Sequence, residues 1–341
     1  MSPYKLQEFL AAQKQPAYRL QQAIDAVCQN GVSSFGDITG WPASLREAAK
    51  SIPVLTCTPK KVLASSAKNA FKAALTLADG NVIESVLLSP KPGLWSTCIS
   101  SQVGCAMGCT FCATGKMGLL RNLTAEEITD QVLFWMQYMK QEKLEGHVRN
   151  IVYMGMGEPL NNWVEVDKSL QVLTDPKVFG FGDRHISIST SGIAHMIPRL
   201  AKKWPQVNLA LSLHVANDDE RSELMPVNKS FSLQKLQNAL QEYFTITNRK
   251  VFLEYILLDG KNDSERHAKE LITFVQALDK PNLLHVNLIV YNKTKSTYSE
   301  TPRERAREFA ELLESEGVHT TIRKNLGRDI AGACGQLAGE K

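Results

Sequence analysis

Three cysteines within eight residues carry the strongest chemical signal in the sequence. Cys105, Cys109 and Cys112 form a CxxxCxxC pattern inside the stretch CISSQVGCAMGCTFCATGKMG. Structural zinc sites usually close with four ligands, and ferredoxin-type iron-sulfur clusters use four cysteines. Three thiolates on one short loop can hold three irons of a 4Fe-4S cube and leave the fourth iron open to a substrate. The alternative that this spacing leaves open is a zinc site completed by Cys98 or His214.

The other cysteines and the composition set the context for this loop. The chain has 341 residues, seven cysteines and a formal net charge of +4. No apolar run approaches the roughly 20 residues needed to span a bilayer, and the N-terminus does not have the pattern of a secretory signal, so we expect a cytoplasmic protein without a membrane segment. In a reducing compartment, clustered cysteines indicate metal or catalytic chemistry rather than structural disulfides. Cys28 and Cys57 lie outside the cluster and are expected to be packed thiols.

The elements that must position the cysteines change in kind along the chain. The first 50 residues space apolar side chains by three and four, which predicts helices. AFKAALTL and NVIESVLL flank an Asp-Gly turn and predict a β-hairpin. From residue 94 onward, apolar strands alternate with amphipathic segments of helical length. We therefore predict a helical N-terminal accessory domain over residues 1–55, a β-hairpin linker region over 56–92 and a core over 93–341.

The alternation of strands and helices predicts a parallel sheet. Seven segments have the apolar character of strands: WSTCIS, NIVYMG, HISIST, VNLALSLH, KVFLEYILL, HVNLIVY and HTTIRK. Six or seven parallel strands indicate an open or partial barrel of the TIM type, with its chemistry at the C-terminal strand ends. The cysteine loop, the GMGEP motif and Asn292 each follow such a strand. Between them, Thr124 and Glu127 form a capping box that predicts the start of a helix.

The cysteine loop, the βα units and GMGEP together resemble the radical S-adenosylmethionine (SAM) superfamily. Within it, the run SSQVGCAMGCTFCATGKMGLLRNLT, the motifs MGMGEPL, SISTSG, LSLH and DIAGACGQL, and the residues Glu84, Cys98 and Cys334 closely resemble the RlmN/Cfr family. Those enzymes methylate an adenine of 23S ribosomal RNA and of tRNA. The resemblance covers almost the whole chain. It implies an α/β fold with a partial (β/α)6 TIM-like radical SAM barrel, a small helical N-terminal accessory domain and a β-hairpin.

The resemblance also implies one 4Fe-4S cluster, two SAM molecules per turnover, and roles for three residues outside the cluster loop. Carbon 2 of adenine is a poor nucleophile, so a radical must add to it. Cys334 would take a methyl group from one SAM by thiolate attack, and a radical derived from a second SAM would then activate that methyl group. Cys98 would resolve the resulting RNA adduct through a transient disulfide with Cys334. Glu84 matches the family's proton acceptor.

Further positions match the family's contacts to SAM. They combine backbone, hydroxyl, imidazole and amide groups of the kind that bind a polar cofactor. These positions are Gly157, Glu158, Ser189, Ser212, Leu213, His214 and Asn292. MGMGEPL favours the RlmN type, acting at carbon 2, whereas LMPV and VNLIVYN also resemble the Cfr type, acting at carbon 8. The link SVLLSPKPGLWST differs from the more acidic link of many relatives, which bears on the placement of Glu84.

The expected partners follow from charge and from the resemblance. The stretch from Ser51 to Ala78 carries Lys60, Lys61, Lys68 and Lys72 without an acidic residue, so we expect these lysines to contact an RNA backbone. A second basic group consists of Arg323, Lys324 and Arg328. An electron donor such as flavodoxin or ferredoxin would reduce the cluster, and we expect a monomer. The alternatives are a radical SAM enzyme acting on a peptide or small metabolite, and a zinc or electron-transfer protein.

Overall fold

A computed structural model of the protein describes residues 3–294 and 296–339. Residues 1–2 of the predicted N-terminal domain and residues 340–341 of the predicted core lie outside the described residues. Ten α-helices occur in this part of the chain. They are α1 (Pro3–Ala12), α2 (Tyr18–Ile24), α3 (Ala43–Ala49), α4 (Ala125–Gln141), α5 (Trp163–Thr174), α6 (Met196–Lys203), α7 (Asp218–Leu224), α8 (Leu233–Ile246), α9 (Glu265–Gln276) and α10 (Arg303–Ser315).

Twelve strands also occur in the described residues, besides several short 3-10 or π-helical segments. They are β1 (Cys57–Ala64), β2 (Ala70–Leu77), β3 (Val82–Lys91), β4 (Leu94–Cys98), β5 (Gln102–Cys105), β6 (Gly118–Asn122), β7 (His147–Tyr153), β8 (Ile186–Thr190), β9 (Asn208–Ser212), β10 (Val251–Leu257), β11 (Leu284–Val290) and β12 (Thr320–Ile322). Ten of them make one sheet in the order β1-β2-β3-β4-β7-β8-β9-β10-β11-β12, and β5 pairs only with β6.

The sheet confirms the predicted partial barrel. Strands β4 and β7 to β12 pair in parallel, and each of the seven corresponds to a strand predicted from the sequence. Helices α4, α5, α6, α8, α9 and α10 lie in the connections between these strands, as a parallel sheet requires. The order begins at β1 and ends at β12 without a pairing between them, so the described sheet is open.

The predicted hairpin is confirmed and belongs to a larger antiparallel unit. Strands β2 and β3 pair as predicted around Gly80, whose φ of +81° suits glycine in a tight turn. The polar strand β1 pairs on one side of this hairpin, and β3 pairs antiparallel with β4 on the other. The antiparallel strands therefore continue directly into the parallel sheet and place β3 beside the strand that ends at Cys98.

The N-terminal helices pack around an apolar cluster of their own. Leu6, Val27, Phe35 and Leu45 are buried in it, and Leu133 of α4 belongs to the same cluster. Cys28 and Cys57 are buried thiols, as predicted, and burial raises the pKa of each to about 12. No helix of the described chain combines the length and apolar character that crossing a membrane requires.

Candidate active site

The candidate site lies at one edge of the parallel sheet because its residues end, or directly follow, neighbouring strands. Cys98 ends β4, and the GMGEP motif follows β7. Ser212 ends β9, and Asn292 follows β11. Since these strands run in parallel, their C-terminal ends meet at one edge, where chemistry in such folds is concentrated.

Cys105 is the last residue of β5, and Cys109 and Cys112 lie in the loop that joins β5 to β6. In this two-stranded ribbon, Cys105 at the end of β5 pairs with Gly118 at the start of β6. Gly115 is required for the fold of the loop, since a Cβ there would lie 2.8 Å from the carbonyl oxygen of Cys109. The sequence predicts the loop but not the ribbon, whose strands are only four and five residues long.

The three thiols are close enough to influence one another. Burial raises the pKa of Cys105 to about 12, a backbone hydrogen bond involving Met107 lowers it, and the charge of Cys112 raises it further. Burial also raises the pKa of Cys109, and the charges of Cys112 and Cys105 add to this effect. A buried thiolate without a partner is energetically costly. Several such thiols packed together are typical of a metal site, because a bound metal displaces their protons and supplies the compensating positive charge.

The GMGEP turn is built by close packing against the segment that follows β4. A Cβ on Gly157, whose φ is +101°, would lie 2.6 Å from the Cβ of Gln102. The side-chain oxygen of Gln102 accepts a hydrogen bond from the amide of Glu158, 2.9 Å away. The glycine is therefore needed for the close packing of this turn.

Glu158 is a buried carboxylate that joins two strand ends. It accepts hydrogen bonds from the amide of Leu160 (3.0 Å) and from the amide and hydroxyl of Ser191 (2.6 and 2.8 Å). Burial raises its pKa, while the hydrogen bonds from Ser191 and Leu160 act in the opposite direction. Ser191 has no counterpart among the predicted residues. The predicted Ser189 lies two positions earlier, within β8.

His214 is a neutral imidazole in a strained backbone position. Its φ is +59°, and its Nδ1 accepts a hydrogen bond from the amide of Ile256 at 3.1 Å, which leaves the proton on Nε2. Burial and then the charge of Arg221 lower its pKa to about 3. The rings of His214 and Phe111 also make a T-shaped contact, with their centroids 5.0 Å apart. Phe111 lies between Cys109 and Cys112 in the sequence.

Arg221 organises the predicted cofactor-binding strand ends, although the sequence carries no local signal for it. Its guanidinium is fully buried and donates to the carbonyl oxygens of Leu213 (2.9 Å), Ser191 (2.8 Å) and Ser212 (3.1 Å). Burial lowers its pKa to about 10, which leaves it a cation at neutral pH. The predicted residues Ser212 and Leu213 are therefore fixed through their backbone oxygens by a residue of α7.

Asn292 brings the predicted cofactor site into contact with the segment that carries Cys334. Its side-chain amide donates to the carbonyl oxygen of Cys334 at 3.3 Å. Its Oδ1 atom is buried without a hydrogen-bond partner among the described residues. A buried acceptor of this kind is costly unless a ligand supplies a donor.

The Cys334 segment is attached to the cluster loop by its backbone. The amide of Ala113 donates to the carbonyl oxygen of Gly335 at 2.8 Å, and the hydroxyl of Thr114 donates to that of Leu337 at 2.6 Å. Cys334 itself is exposed, but the protein around it desolvates the thiol, which raises its pKa. Cys334 therefore lies in a recess beside the loop that bears Cys105, Cys109 and Cys112.

Cys98 and Cys334 lie in the same electrostatic environment. Burial raises the pKa of Cys98 to about 12, and the charge of Cys334 contributes in the same direction. Arg323 opposes this effect at both thiols. Arg323, which follows β12, donates to the buried carboxylate of Glu254 at 3.1 Å, and Asn287 donates to the other oxygen of that carboxylate at 2.9 Å. The sequence grouped Arg323 with Lys324 and Arg328, whereas in the structure its side chain pairs with Glu254 and its charge lowers the pKa of both cysteines.

Glu84 is buried on β3, with 3% of its surface exposed. Its carboxylate lies 2.7 Å from the ammonium of Lys72 on β2 and accepts hydrogen bonds from Ala338 and Gly339. This position places the predicted proton acceptor beside the Cys334 segment. It also corrects the expectation for Lys72, whose side chain is only 11% exposed and forms an ion pair instead of facing solvent.

Several charged side chains form ion pairs within the protein. In the expected basic group, Arg328 pairs with Glu300 at 2.5 Å and Arg323 pairs with Glu254. Within the described residues, the exposed Lys324 is the one member of this group without an ion pair. A second group of possible metal ligands consists of Glu220, His267 and Glu270, within 4.8 Å of one another. Arg266 pairs with both of these carboxylates, so the protein itself balances one of their two negative charges.

The comparisons with known proteins agree with the geometry. The family model of the radical SAM superfamily matches residues 99–272. The ribosomal RNA large subunit methyltransferase Cfr of Shouchella clausii is 40% identical over 98% of this chain and 95% of its own. The protein of that name from Lachnoclostridium phytofermentans is 42% identical over 98% and 97%. The crystal structure of a radical SAM methyltransferase from Sphaerobacter thermophilus superposes with a TM-score of 0.92 at 38% identity, covering 100% of this chain and 98% of that one.

Radical SAM enzymes use a 4Fe-4S cluster and SAM, and methyltransferases of this kind use two SAM molecules per turnover. The cysteine spacing left open either a zinc site or an iron-sulfur cluster, and membership of this superfamily favours the cluster. The identities above 30% extend over nearly the whole chain and include both the N-terminal helices and the Cys334 segment. The chain therefore belongs to the radical SAM superfamily and, within it, to the family of methyltransferases that includes these relatives.

Proposed function

We propose that the protein is an RNA methyltransferase that modifies an adenosine of 23S ribosomal RNA, with tRNA as a second substrate. The observation that carries the proposal is the placement of the two cysteines: Cys98 ends β4, and Cys334 lies on a segment that is hydrogen-bonded to the cluster loop, close enough for its charge to raise the pKa of Cys98. A radical SAM enzyme acting on a peptide or small metabolite has no evident use for this pair. The names of the relatives from Shouchella clausii and Lachnoclostridium phytofermentans support ribosomal RNA as the substrate.

The residues present fit the two cofactors. Cys105, Cys109 and Cys112 are free thiols on one loop, and three of them leave one iron of a 4Fe-4S cube open. The unpartnered Oδ1 of Asn292 suits a donor such as the amino group of an adenine. The neutral His214 holds its proton on Nε2 and can donate a hydrogen bond. We assign these residues, with Gly157, Glu158, Ser189, Ser212 and Leu213, to the SAM site.

Each residue outside the cofactor site has a separate role in the proposed reaction. The thiolate of Cys334 attacks the methyl group of one SAM and becomes S-methylcysteine, with S-adenosylhomocysteine as the leaving group. A cluster held by Cys105, Cys109 and Cys112 would supply and recover one electron, and a second SAM would supply the radical that removes a hydrogen atom from this methyl group. The methylene carbon on Cys334 then adds to the adenine ring, and Glu84 accepts the ring proton as the ring becomes aromatic again.

Cys98 completes the proposed cycle. Its thiolate attacks the sulfur of Cys334, so that an S–S bond forms while the bond between that sulfur and the methylene carbon breaks. The released carbon takes up a proton and becomes the methyl group of the product. An external thiol reduces the disulfide before the next turnover. Arg323 supports this step because its charge favours the thiolate form of both cysteines.

RNA would approach from the exposed side of the antiparallel strands. Lys60 and Lys61 on β1 and Lys68 in the following turn are exposed, so their charges are available to phosphates. The hydroxyl of Ser66 in the same turn donates to Asp329 at 2.5 Å, which joins this surface to the segment that leads to Cys334. We further propose that the enzyme acts as a monomer and takes its electron from a flavodoxin or ferredoxin.

Within the adenine ring, we propose carbon 2 as the methylated position, on the basis of the MGMGEPL motif. Carbon 8 is the second candidate, and the Cfr names of the relatives favour it. Mass spectrometry of ribosomal RNA and tRNA from strains with and without the protein tests both the function and the position. A methyladenosine that depends on the protein is expected, and its fragmentation against 2-methyl and 8-methyl standards identifies the carbon. RNA with identical modifications in the two strains would contradict the proposal.

A further inference from the structure

Both oxygens of the buried Glu84 carboxylate are already occupied by the protein. Oε1 lies 2.7 Å from Nζ of Lys72. Oε2 accepts hydrogen bonds from the amides of Ala338 at 2.7 Å and Gly339 at 3.2 Å. These two amides follow Cys334 by four and five residues, so one carboxylate joins strand β3 to the segment that bears a proposed reactive cysteine.

Lys72 reaches Glu84 across the β2–β3 pair. Glu84 pairs directly with Ala74, so Lys72 is its diagonal neighbour on the same face of the sheet. The two side chains are 11% and 4% exposed. A buried ion pair adds little net stability because both charges lose water, but loss of one partner leaves a costly unpaired charge. The pair is therefore better suited to fixing a position than to stabilising the fold.

Glu84 holds the end of the Cys334 segment in a closely packed position. Gly339 has a φ of +58°, and a Cβ there would lie 2.9 Å from the carbonyl oxygen of Val82 and 3.1 Å from the methyl carbon of Met156. On its other side, the segment is held by the bonds from Ala113 and Thr114 of the cluster loop. The residues around Cys334 are thus attached to the cluster loop at one point and to Glu84 at another.

We propose that Lys72 is a positioning residue for the methyl transfer: it holds the Glu84 carboxylate, and through that carboxylate the Cys334 segment, in the working arrangement. The inference rests on the proposed function, which gives Glu84 and Cys334 their roles. It has a mechanistic consequence. Oε2 can accept a proton from the adenine ring only after the amides of Ala338 and Gly339 have left it, while Lys72 stays on Oε1. Movement of the Cys334 segment and proton acceptance by Glu84 are therefore one linked event.

Hydrogen exchange of the cluster-loaded enzyme, measured by mass spectrometry, tests the positioning directly. In Lys72→Met and Glu84→Gln, the amides of residues 338 and 339 should exchange at least about tenfold faster, because a hydrogen bond to a charged group is lost or weakened. Lys72→Arg keeps the charge and should restore slow exchange. Lys91→Met, which removes an exposed lysine at the end of β3, is the matched control and should exchange like the wild type.

Covalent trapping gives a second readout that a purely structural lysine would not affect. Under turnover with RNA, Lys72→Met should accumulate protein joined to RNA through Cys334, since proton acceptance fails after the carbon bond has formed. Lys72→Arg and Lys91→Met should accumulate none. If Lys72→Met exchanges faster at every amide, it is globally destabilised, and Lys72→Gln, which removes the charge but keeps a polar side chain, then decides. Unchanged exchange at residues 338 and 339 in the variants that fold overturns the inference.

The same experiments separate this inference from the proposed function. If the wild type methylates RNA but Lys72→Met leaves both the local exchange and the adduct level unchanged, the positioning role is wrong and the function stands. If the local exchange responds to Lys72 and Glu84 but the wild type methylates neither ribosomal RNA nor tRNA, the structural link stands. The proposed substrate is then wrong.

Discussion

The side-chain amide of Asn292 donates a hydrogen bond to the carbonyl oxygen of Cys334, with 3.3 Å between the two atoms. One residue thus contacts the segment of the proposed methyl carrier and holds a buried, unpartnered acceptor for a ligand. In the proposed reaction, this contact places the SAM pocket beside the cysteine that would receive the methyl group, so that one site would serve two successive SAM molecules.

Replacement of Asn292 should weaken SAM binding without unfolding the protein. Asn292→Ala removes the buried acceptor, and the loss of one hydrogen bond to the ligand predicts an affinity about tenfold lower. Asn208→Ala is the matched control, because Asn208 also makes side-chain hydrogen bonds but lies at the opposite end of β9. Calorimetric titration of the cluster-loaded proteins with SAM measures both affinities. Equal affinity of Asn292→Ala and wild type would remove Asn292 from the site.

Loss of any one cluster cysteine should remove the iron-sulfur cluster. Cys105→Ala, Cys109→Ala and Cys112→Ala should each lose the visible absorbance and the roughly four irons per chain of a 4Fe-4S cluster, because two thiolates do not hold the cube. Cys57→Ala is the control, since that thiol is buried away from the loop and should keep the full iron content. Iron analysis of anaerobically purified proteins measures the difference. A variant lacking all three cysteines that still bound four irons would contradict the assignment.

Protonation of His214 should destabilise the fold at acidic pH. Its pKa is lowered to about 3 from an ordinary value of 6.5, so below that ordinary value the unfolded chain binds a proton that the folded protein excludes. Its contribution is complete above pH 6.5 and decreases by about 1.4 kcal/mol per pH unit as the pH falls toward 3.

The variant His214→Asn, which tolerates the positive φ, should therefore lose less stability than the wild type on acidification. Melting temperatures between about pH 8 and pH 5 check this expectation, with the exposed His147→Asn as the control. A parallel decline of wild type and His214→Asn over this range would mean that His214 is not kept neutral by the fold.

The exposed lysines should determine the salt dependence of RNA binding. Neutralising Lys60, Lys61 or Lys68 should each reduce the slope of log affinity against log salt by about 0.7 to 0.9, the value for one phosphate contact. Lys143→Met, at an exposed site after α4, is the control and should keep the wild-type slope. Binding titrations at several salt concentrations provide the slopes. If the triple variant kept the wild-type slope, these lysines would face only solvent.

The parts of the fold that repeat a local pattern could be predicted from the sequence. Most of the seven parallel strands are apolar runs, and the capping box of Thr124 and Glu127 forms as expected, with the Thr124 hydroxyl 3.2 Å from the Glu127 amide. The strand-end motifs also meet at one edge, since a parallel sheet requires it. Strand β1 escaped prediction because its segment, CTPKKVLA, has mostly exposed side chains and lacks a hydrophobic pattern.

The contacts that join distant segments could not be predicted. The hydrogen bond from Ala338 to Glu84 joins residues 254 positions apart, and the bond from Arg323 to Glu254 spans 69. Nothing in the local sequence distinguishes such a buried pair from two solvated charges, which is why Lys72 was assigned to an RNA surface. Desolvation and pairing, which decide their roles, exist only in the folded molecule.

The behaviour of Cys98 is the most direct test of the proposed two-cysteine mechanism. Removal of Cys98 leaves methyl loading on Cys334 and addition to RNA intact but eliminates the thiolate that breaks the bond between sulfur and carbon. Cys98→Ala incubated with RNA, SAM and a reductant should form a nuclease-sensitive covalent adduct on a denaturing gel, and Cys98→Ala combined with Cys334→Ala should form none. Release of methylated RNA by Cys98→Ala at the wild-type rate, without an adduct, would contradict the two-cysteine mechanism.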